Sequence, residues 1–308
     1  MYVLEAYDNC LKQILKHGVL KKNRTGVDTI AIFGMQSRYR IDTHFPVLTG
    51  RKVWPKAIFA ELLWFLSGST CNKDLQELGS NIWTPWVDAE FEKKHGYAEG
   101  CFGPVYGFQL RHFGGFYGNG LGGQPNTQDK LTTISKWPHF GRIVRENRYG
   151  KDGFDQLAYM VERLKNKPNC RRNLFSLWNP KELSAMRLPP CHYTFQVFTH
   201  ENKLSGMLTQ RSCDFPVGIP ANIQFYSALI YMLAQQCGYE PYEFVHTTAD
   251  SHIYVDQTEA VEEYLSREKP ASPKLELNKA KDIYSYQLSD FKLVNYNPLS
   301  KIEIPVAV

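Results

Sequence analysis

The stretch LPPCHYTFQVFTHENKLSGMLTQRSCD, residues 188–214, decides how the chain is read. Pro189 and Pro190 fix the backbone. After them HYTFQVFTH alternates, Glu201-Asn202-Lys203 turns and LSGMLTQRS returns, which predicts a β-hairpin over 192–214. Downstream, Gly218-Ile219-Pro220 is expected to break the chain before a long apolar helix, NIQFYSALIYMLAQQC, that closes at Gly238. In DSHIY (250–254), a strand would project Asp250, His252 and Tyr254 to one side. Upstream, Tyr7, Leu11, Ile14 and Leu15 sit at helical spacing within 2–17. Residues 29–40 alternate, with a bend near Gly34, and 57–66 (AIFAELLWFL) read as a buried helix that contains Glu61. Residues 154–165 are helical again, and 273–308 read as short strands and turns. A Gly-rich insert at 112–153 reads as a surface loop or lid. Helices and strands interleave without a regular βα period, and no repeat or linker interrupts them. This predicts an α+β fold in a single domain spanning 1–308.

Composition narrows the function classes. Of 308 residues, 43% are hydrophobic and 22% charged, which excludes a disordered chain. Aromatics at 14% suit a large core or an aromatic-lined pocket. The net charge of +5 fits a mildly basic soluble protein or a pocket for anions. No Lys/Arg tract points to a nucleic-acid partner. The seven cysteines include no C-x-x-C pair, so zinc and thioredoxin-like readings are weak. Free thiols in a reducing, cytoplasmic setting are expected. The first 17 residues are amphipathic rather than signal-like, and the apolar runs are too short to span a bilayer.

Several residues are open to two readings. Cys191 precedes a strand; it is either a core cysteine or a nucleophile, for which Arg211 on the return strand could supply a cation. Arg24, the pair Arg171-Arg172 and Arg211-Ser212 sit in turn-like contexts or at a strand end. Guanidinium forks there are either solvated or match phosphate oxygens. Asn222 is either a helix N-cap or a carboxamide whose donor and acceptor match N3–H and O4 of uracil. A metal at Asp250, His252 and Tyr254 has poor support, because no further ligand spacing accompanies them.

Taken together, the blocks NRTG (23–26), FGMQSRY (33–39), FPVLTGRKV (45–53), ELLWFLSG (61–68), IWTPW (82–86), GPVYGFQLR (103–111), CRRNLFSLWNP (170–180), LPPCH (188–192), QRSCD (210–214), GIPANI (218–223), DSHIY (250–254), LSRE (265–268) and PVAV (305–308) resemble the thymidylate synthase family in order and spacing. The resemblance covers nearly the whole chain. It implies a mixed β-sheet packed with helices, and a methyltransferase that converts dUMP to dTMP with 5,10-methylenetetrahydrofolate as donor of carbon and hydride. No metal is implied.

Residue by residue, the resemblance implies that Cys191 adds to uracil C6, since C5 is too weak a nucleophile unaided. Arg211 would hold the phosphate and favour the thiolate, with Arg24 and Ser212 completing the phosphate site. Arg171 and Arg172 would reach that site from the partner subunit of a homodimer. Asn222 would read the uracil, Asp214 would lie near that ring and the pterin, and His252 and Tyr254 would hold the ribose 3′-hydroxyl. Tyr106 and His192 would belong to the polar network around the nucleophile. Glu61 would move protons, and Trp83 would pack on the folate. Gly218 would lie by the cofactor, and Val308 would close over the ligands in the PVAV tail.

The chain departs from the family pattern at Ala221, where Phe is usual, at Phe215-Pro216-Val217, at Gln224-Phe225 and at Asp256-Gln257. Ala221 could admit water, as in the related deoxypyrimidylate hydroxymethylases, where water rather than hydride traps the methylene group. Two other classes compete. A cysteine hydrolase needs a base, but His192 and Cys191 are adjacent and would point to opposite faces of a strand. A nucleotide-binding protein without chemistry would not need Cys191, Glu61 and Trp83 together.

Overall fold

The periodicities read above become elements in the computed structural model, which describes residues 1–115, 117 and 153–306. Helix α1 (Glu5–His17) leads into strands β1 (Val19–Lys21) and β2 (Thr29–Arg40). Helices α2 (Pro55–Ser67), α3 (Asn72–Glu77), α4 (Ala89–His95), α5 (Tyr106–His112) and α6 (Gln156–Asn166) follow, then strand β3 (Leu174–Ser176). The hairpin β4 (His192–His200) and β5 (Lys203–Asp214) precedes helix α7 (Gly218–Cys237), strand β6 (Glu240–Tyr254), helix α8 (Thr258–Ser266) and a ribbon of β7 (Lys274–Leu277) and β8 (Phe291–Val294). The fold is α+β, as expected. The Gly-rich insert lies outside the described residues except at its two ends, as does Val308. Among the described residues, no helix is long and apolar enough to cross a membrane.

The chain divides into two compact units, Met1–Phe59 with Cys191–Val308, and Ala60–Pro190. In the first, five strands of the main sheet run in the order β1-β2-β6-β5-β4. Strand β5 pairs in parallel with β6, and the other pairs among these strands are antiparallel, so the sheet is mixed. Helix α7 makes the parallel crossover. Its residues Ile223, Tyr226, Leu229, Ile230 and Leu233 are buried, and truncating one of them to Ala costs about 2–5 kcal/mol. Gly206 permits this close packing, because a Cβ there would lie 2.8 Å from Ile230 and 2.5 Å from Phe195.

One sequence expectation needs correction here. Gly218-Ile219-Pro220 does not break the chain; it forms the first turn of α7. Proline is tolerated in a first turn, where an N–H has no intrahelical acceptor in any case. Asn222 therefore lies inside the helix and is not its N-cap. The other end is as expected: Gly238 takes φ 80°, and its N–H bonds to the Ala234 carbonyl.

The strands also change phase at one level. On β6 the most deeply buried positions are Phe244, His246 and Thr248, then Ser251 and Ile253, with Val245 and His252 buried less completely; on β5 they run through Leu208 and Gln210, then Cys213. Pairing lapses at the same level. Thr248 and Asp250 are paired on both sides, to Met35 and Phe33 and to Gln210 and Ser212, while Ala249, Gly34 and Arg211 drop out of the register. Gly34 supplies a φ of +85°. Such an irregularity re-aims side chains, and here it falls at Arg211 and Ser212.

The second unit is tied by polar links and one covalent link. Arg111 forms a buried ion pair with Asp155 at 2.9 Å, and Asp155 also caps α6 through the Ala158 N–H. Cys71 and Cys101 form a disulfide, so the expectation of free thiols is corrected for these two. The two face each other across a short antiparallel bridge, flanked by hydrogen bonds from Asn72 N to Gly100 O and from Phe102 N to Thr70 O. The other five cysteines form no disulfide.

Candidate active site

In the first unit, the hairpin presents Cys191 immediately before β4. The Arg211 N–H donates to the Cys191 carbonyl at 2.8 Å, and the Arg211 Nη2 lies 3.9 Å from the Cys191 Sγ. A guanidinium beside a thiol favours the thiolate, which is the nucleophilic form. Cys191 is half-buried.

His192 faces away into the core. Its Nδ1 is 2.7 Å from the Tyr226 hydroxyl on α7. Burial, helped by the neighbouring His246, pushes its pKa down to about 3. A ring that stays neutral at pH 7 and is engaged with Tyr226 is a poor base for Cys191, which removes the hydrolase reading. The neighbouring Gln210 is held at both ends. It accepts from His246 Nε2 at 3.0 Å and donates to the Ser212 carbonyl at 3.0 Å.

Lys21, Asn23, Arg24, Ser212, Asp250, His252 and Tyr254 line one polar cleft, with Thr25 and Thr29. Asp250, His252 and Tyr254 do share a side of β6, as their alternation predicts. The loop that carries Arg24 is shaped by Asn23, whose Oδ1 accepts from the Thr25 N–H (2.8 Å) and hydroxyl (2.6 Å), while its Nδ2 donates to the Val27 carbonyl (2.8 Å).

Asp214, at the end of β5, has its Oδ1 held by the Val217 N–H at 3.1 Å. Burial raises its pKa, against the pull of that N–H. Gly218 leaves room next to it: an added Cβ would lie 3.9 Å from Asp214 Cβ and 4.0 Å from Asn222 Oδ1. Gln257 joins this group. Its Oε1 accepts from Tyr254 N at 3.0 Å, and its Nε2 bonds the Pro305 carbonyl at 2.9 Å and reaches Asp214 Oδ2 at 3.5 Å. The described start of the C-terminal tail is thus tied to Asp214 and Tyr254 by one buried side chain.

In the second unit, Glu61 on α2 accepts a 2.5 Å hydrogen bond from the Trp83 indole N–H. Glu61 keeps some surface exposed, yet desolvation of its carboxyl raises the pKa to about 7, even though the Trp83 bond favours the anion. Trp83 is buried against Trp64 (5.2 Å), Phe102 (5.2 Å), Tyr106 (5.8 Å) and Phe65 (6.1 Å), and Tyr106 stacks on Phe65 at 4.9 Å. Arg171 and Arg172 lie exposed after α6. No group of three or more His, Cys, Asp or Glu among the described residues could hold a metal ion.

A profile of the family described as "Thymidylate synthase" matches residues 5–308. The chain belongs to the thymidylate synthase family. It is 40% identical over 306 residues to a bifunctional dihydrofolate reductase-thymidylate synthase of Zea mays, covering 98% of this chain and 54% of the maize protein. It is 40% identical over 302 residues to a thymidylate synthase of Human herpesvirus 8 type P (isolate GK18), covering 97% of this chain and 82% of the viral one. To the thymidylate synthase of Homo sapiens it is 38% identical over 302 residues, covering 97% and 88%. The chain thus spans little more than half the length of the maize relative and of a rice relative, where it covers 57%.

Sequence reasoning gave no role to Lys21, Asn23, Gln257 or Tyr226, and none to Asp250 beyond a weak metal reading. Lys21 lies in no motif of its own, although its ammonium pairs with Asp250. Gln257 stood out only as a departure from the family pattern. That signal marked the position without saying what the side chain touches.

Proposed function

We propose that the chain methylates dUMP at C5 to give dTMP, through a covalent adduct of Cys191 Sγ at C6 of the uracil. The observation that carries this reading is the Arg211 guanidinium 3.9 Å from the Cys191 sulfur, in a chain of this family. Attack by the thiolate turns C5 into an enolate carbon able to take a one-carbon unit. The co-substrate 5,10-methylenetetrahydrofolate supplies that carbon and the hydride that reduces it.

The chain's own residues divide the work. Arg24, Arg211 and Ser212 bind the phosphate as forked and hydroxyl donors. His252 and Tyr254 hold the ribose 3′-hydroxyl. Asn222 pairs with N3–H and O4 of the base. Glu61, with a pKa near the working pH, moves protons at O4 and at the folate nitrogen. Gly218 and the Asp214 carboxyl lie beside the pterin, and Trp83 and Tyr106 supply aromatic surface. Val308 and the rest of the tail close over the ligands and exclude water. All of this belongs to one catalytic domain over 1–308, with no metal and no nucleic-acid partner, acting in the cytoplasm.

The active form is a homodimer in which Arg171 and Arg172 serve the partner's phosphate site. An open sheet face supports a second copy: Phe198 is 67% and Phe33 87% exposed, and Met207, Arg38, Ser205 and Val245 lie around Phe198. Mixing an Arg172→Ala chain with a Cys191→Ala chain is expected to restore activity in heterodimers that neither homodimer shows. Failure after confirmed subunit exchange would remove the shared site.

The purified chain, given dUMP and the folate, is expected to raise the ultraviolet absorbance of dihydrofolate and to yield a methyl-bearing product by mass. Tetrahydrofolate with a hydroxymethyl product would overturn the reading in favour of water trapping. Ala221 is the one residue that favours that alternative, and the relatives named above are synthases.

A further inference from the structure

The surroundings of His252 decide which hydrogen bond its ring can offer to a ligand. Its Nδ1 lies 3.0 Å from Asp250 Oδ1 and 3.2 Å from the Asp250 backbone oxygen. A carbonyl oxygen only accepts, so Nδ1 carries the ring proton. In the neutral ring, Nε2 is then an acceptor. Asp250 is held in turn by Lys21, whose ammonium bonds its other carboxylate oxygen. Burial alone would raise the Asp250 pKa, but the bonds from Lys21 and His252 outweigh it and hold the carboxyl below its usual range. Asp250 therefore stays an anion and only accepts. The three side chains come from β1 and β6 and line the same cleft as Arg24, Ser212 and Tyr254.

We propose that Lys21 and Asp250 are positioning residues that lock His252 in its Nδ1–H form, so that Nε2 accepts a hydrogen bond from a ligand hydroxyl and the cleft selects nucleotides with a 3′-hydroxyl over those that lack one. This inference rests on reading the cleft as the sugar end of the nucleotide site. It adds a chain of command: Lys21 holds Asp250, Asp250 sets the tautomer, and the tautomer sets the specificity. A sugar without the hydroxyl leaves Nε2 of the buried His252 ring without its donor, and a mismatch at a buried polar group is discriminated strongly.

The test has two arms. Nitrogen-15 spectra of the histidine-labelled chain without ligand, with His252 assigned by His252→Gln, are expected to show Nδ1 protonated and Nε2 bare in the neutral ring. Calorimetric binding of dUMP and of its 3′-deoxy analogue is expected to favour dUMP by about 10-fold or more. Asp250→Ala should cut that ratio to about a third or less and blur the tautomer signature, while Asp250→Asn, which keeps an acceptor, should restore most of both. Lys21→Met, on a side chain 54% exposed, should move the ratio in the same direction and serves if Asp250→Ala does not fold. A bare Nδ1 in the wild-type spectrum, or an unchanged ratio in the Asp250→Ala and Lys21→Met chains, would overturn the inference. If dUMP does not bind the wild-type chain at all, the nucleotide reading fails instead, and the spectra still report the tautomer.

Discussion

Two carboxylates in this molecule are treated in opposite ways. Glu61, in the second unit, sits in an aromatic setting with a single indole N–H as its partner, and desolvation lifts its pKa to about 7. Asp250, in the first unit, is clasped by an ammonium and an imidazole and is held below its usual range. One is poised to exchange a proton at neutral pH. The other keeps its charge and uses it to orient a neighbour. The difference teaches that a carboxylate's role is set by whether desolvation or pairing wins, and the residue type alone says nothing of it.

Exchanging Glu61 for Gln breaks the first half of that contrast and carries the larger effect. Activity is expected to fall by about 100-fold or more, and the titration near pH 7 in kcat/KM should disappear from the profile. The sign of the stability effect follows from the same shift. The carboxyl titrates near 4.5 in the unfolded chain and near 7 in the folded one, so folding disfavours its charged form. The wild type therefore loses stability as pH rises from 4.5 to about 7 and holds level above that. Glu61→Gln lacks this loss and should be more stable than wild type above pH 7, by roughly 1–3 kcal/mol in denaturant titrations.

Asn222→Asp tests the recognition proposed for the first unit, which relies on polar matching rather than desolvation. A protonated carboxyl can donate to cytosine N3 and accept from N4, so preference should move from dUMP toward dCMP by roughly 10-fold or more. Unchanged preference in a competition assay would mean that another residue reads the base. The smallest effect is expected from Trp83→Phe. It removes the hydrogen bond from the indole that favours the Glu61 anion, so the Glu61 titration should move upward by about one pH unit. A downward move would show that the indole's bulk, and not its N–H, governs the carboxyl.

Much of this was legible in the sequence because local pattern and tertiary role agree. The hairpin over 192–214, the buried helix around Glu61 and the shared side of Asp250, His252 and Tyr254 all follow from periodicity, which the core enforces. What was not legible depends on partners far along the chain. Lys21 meets Asp250 across 229 positions, Cys71 meets Cys101 across 30, and Gln257 reaches Pro305 across 48. No local propensity encodes such meetings. The bend near Gly34 was legible from its glycine, but its match at Arg211 and Ala249 was not: an alternating pattern reports the period of a strand but not a slip shared by three neighbours. The misreading of Gly218-Ile219-Pro220 came from treating proline as a breaker everywhere, although a helix's first turn accepts it.

The central claim is that the Cys191 thiolate activates C5 of the uracil. Release of tritium from dUMP labelled at C5 reports this directly, since the label leaves only after C5 has become nucleophilic and taken a substituent. With the folate present, the wild-type chain should release tritium steadily, and Cys191→Ala should release it at least about 10³-fold more slowly while still binding dUMP. Release by Cys191→Ala at a rate near that of the wild type would contradict the account.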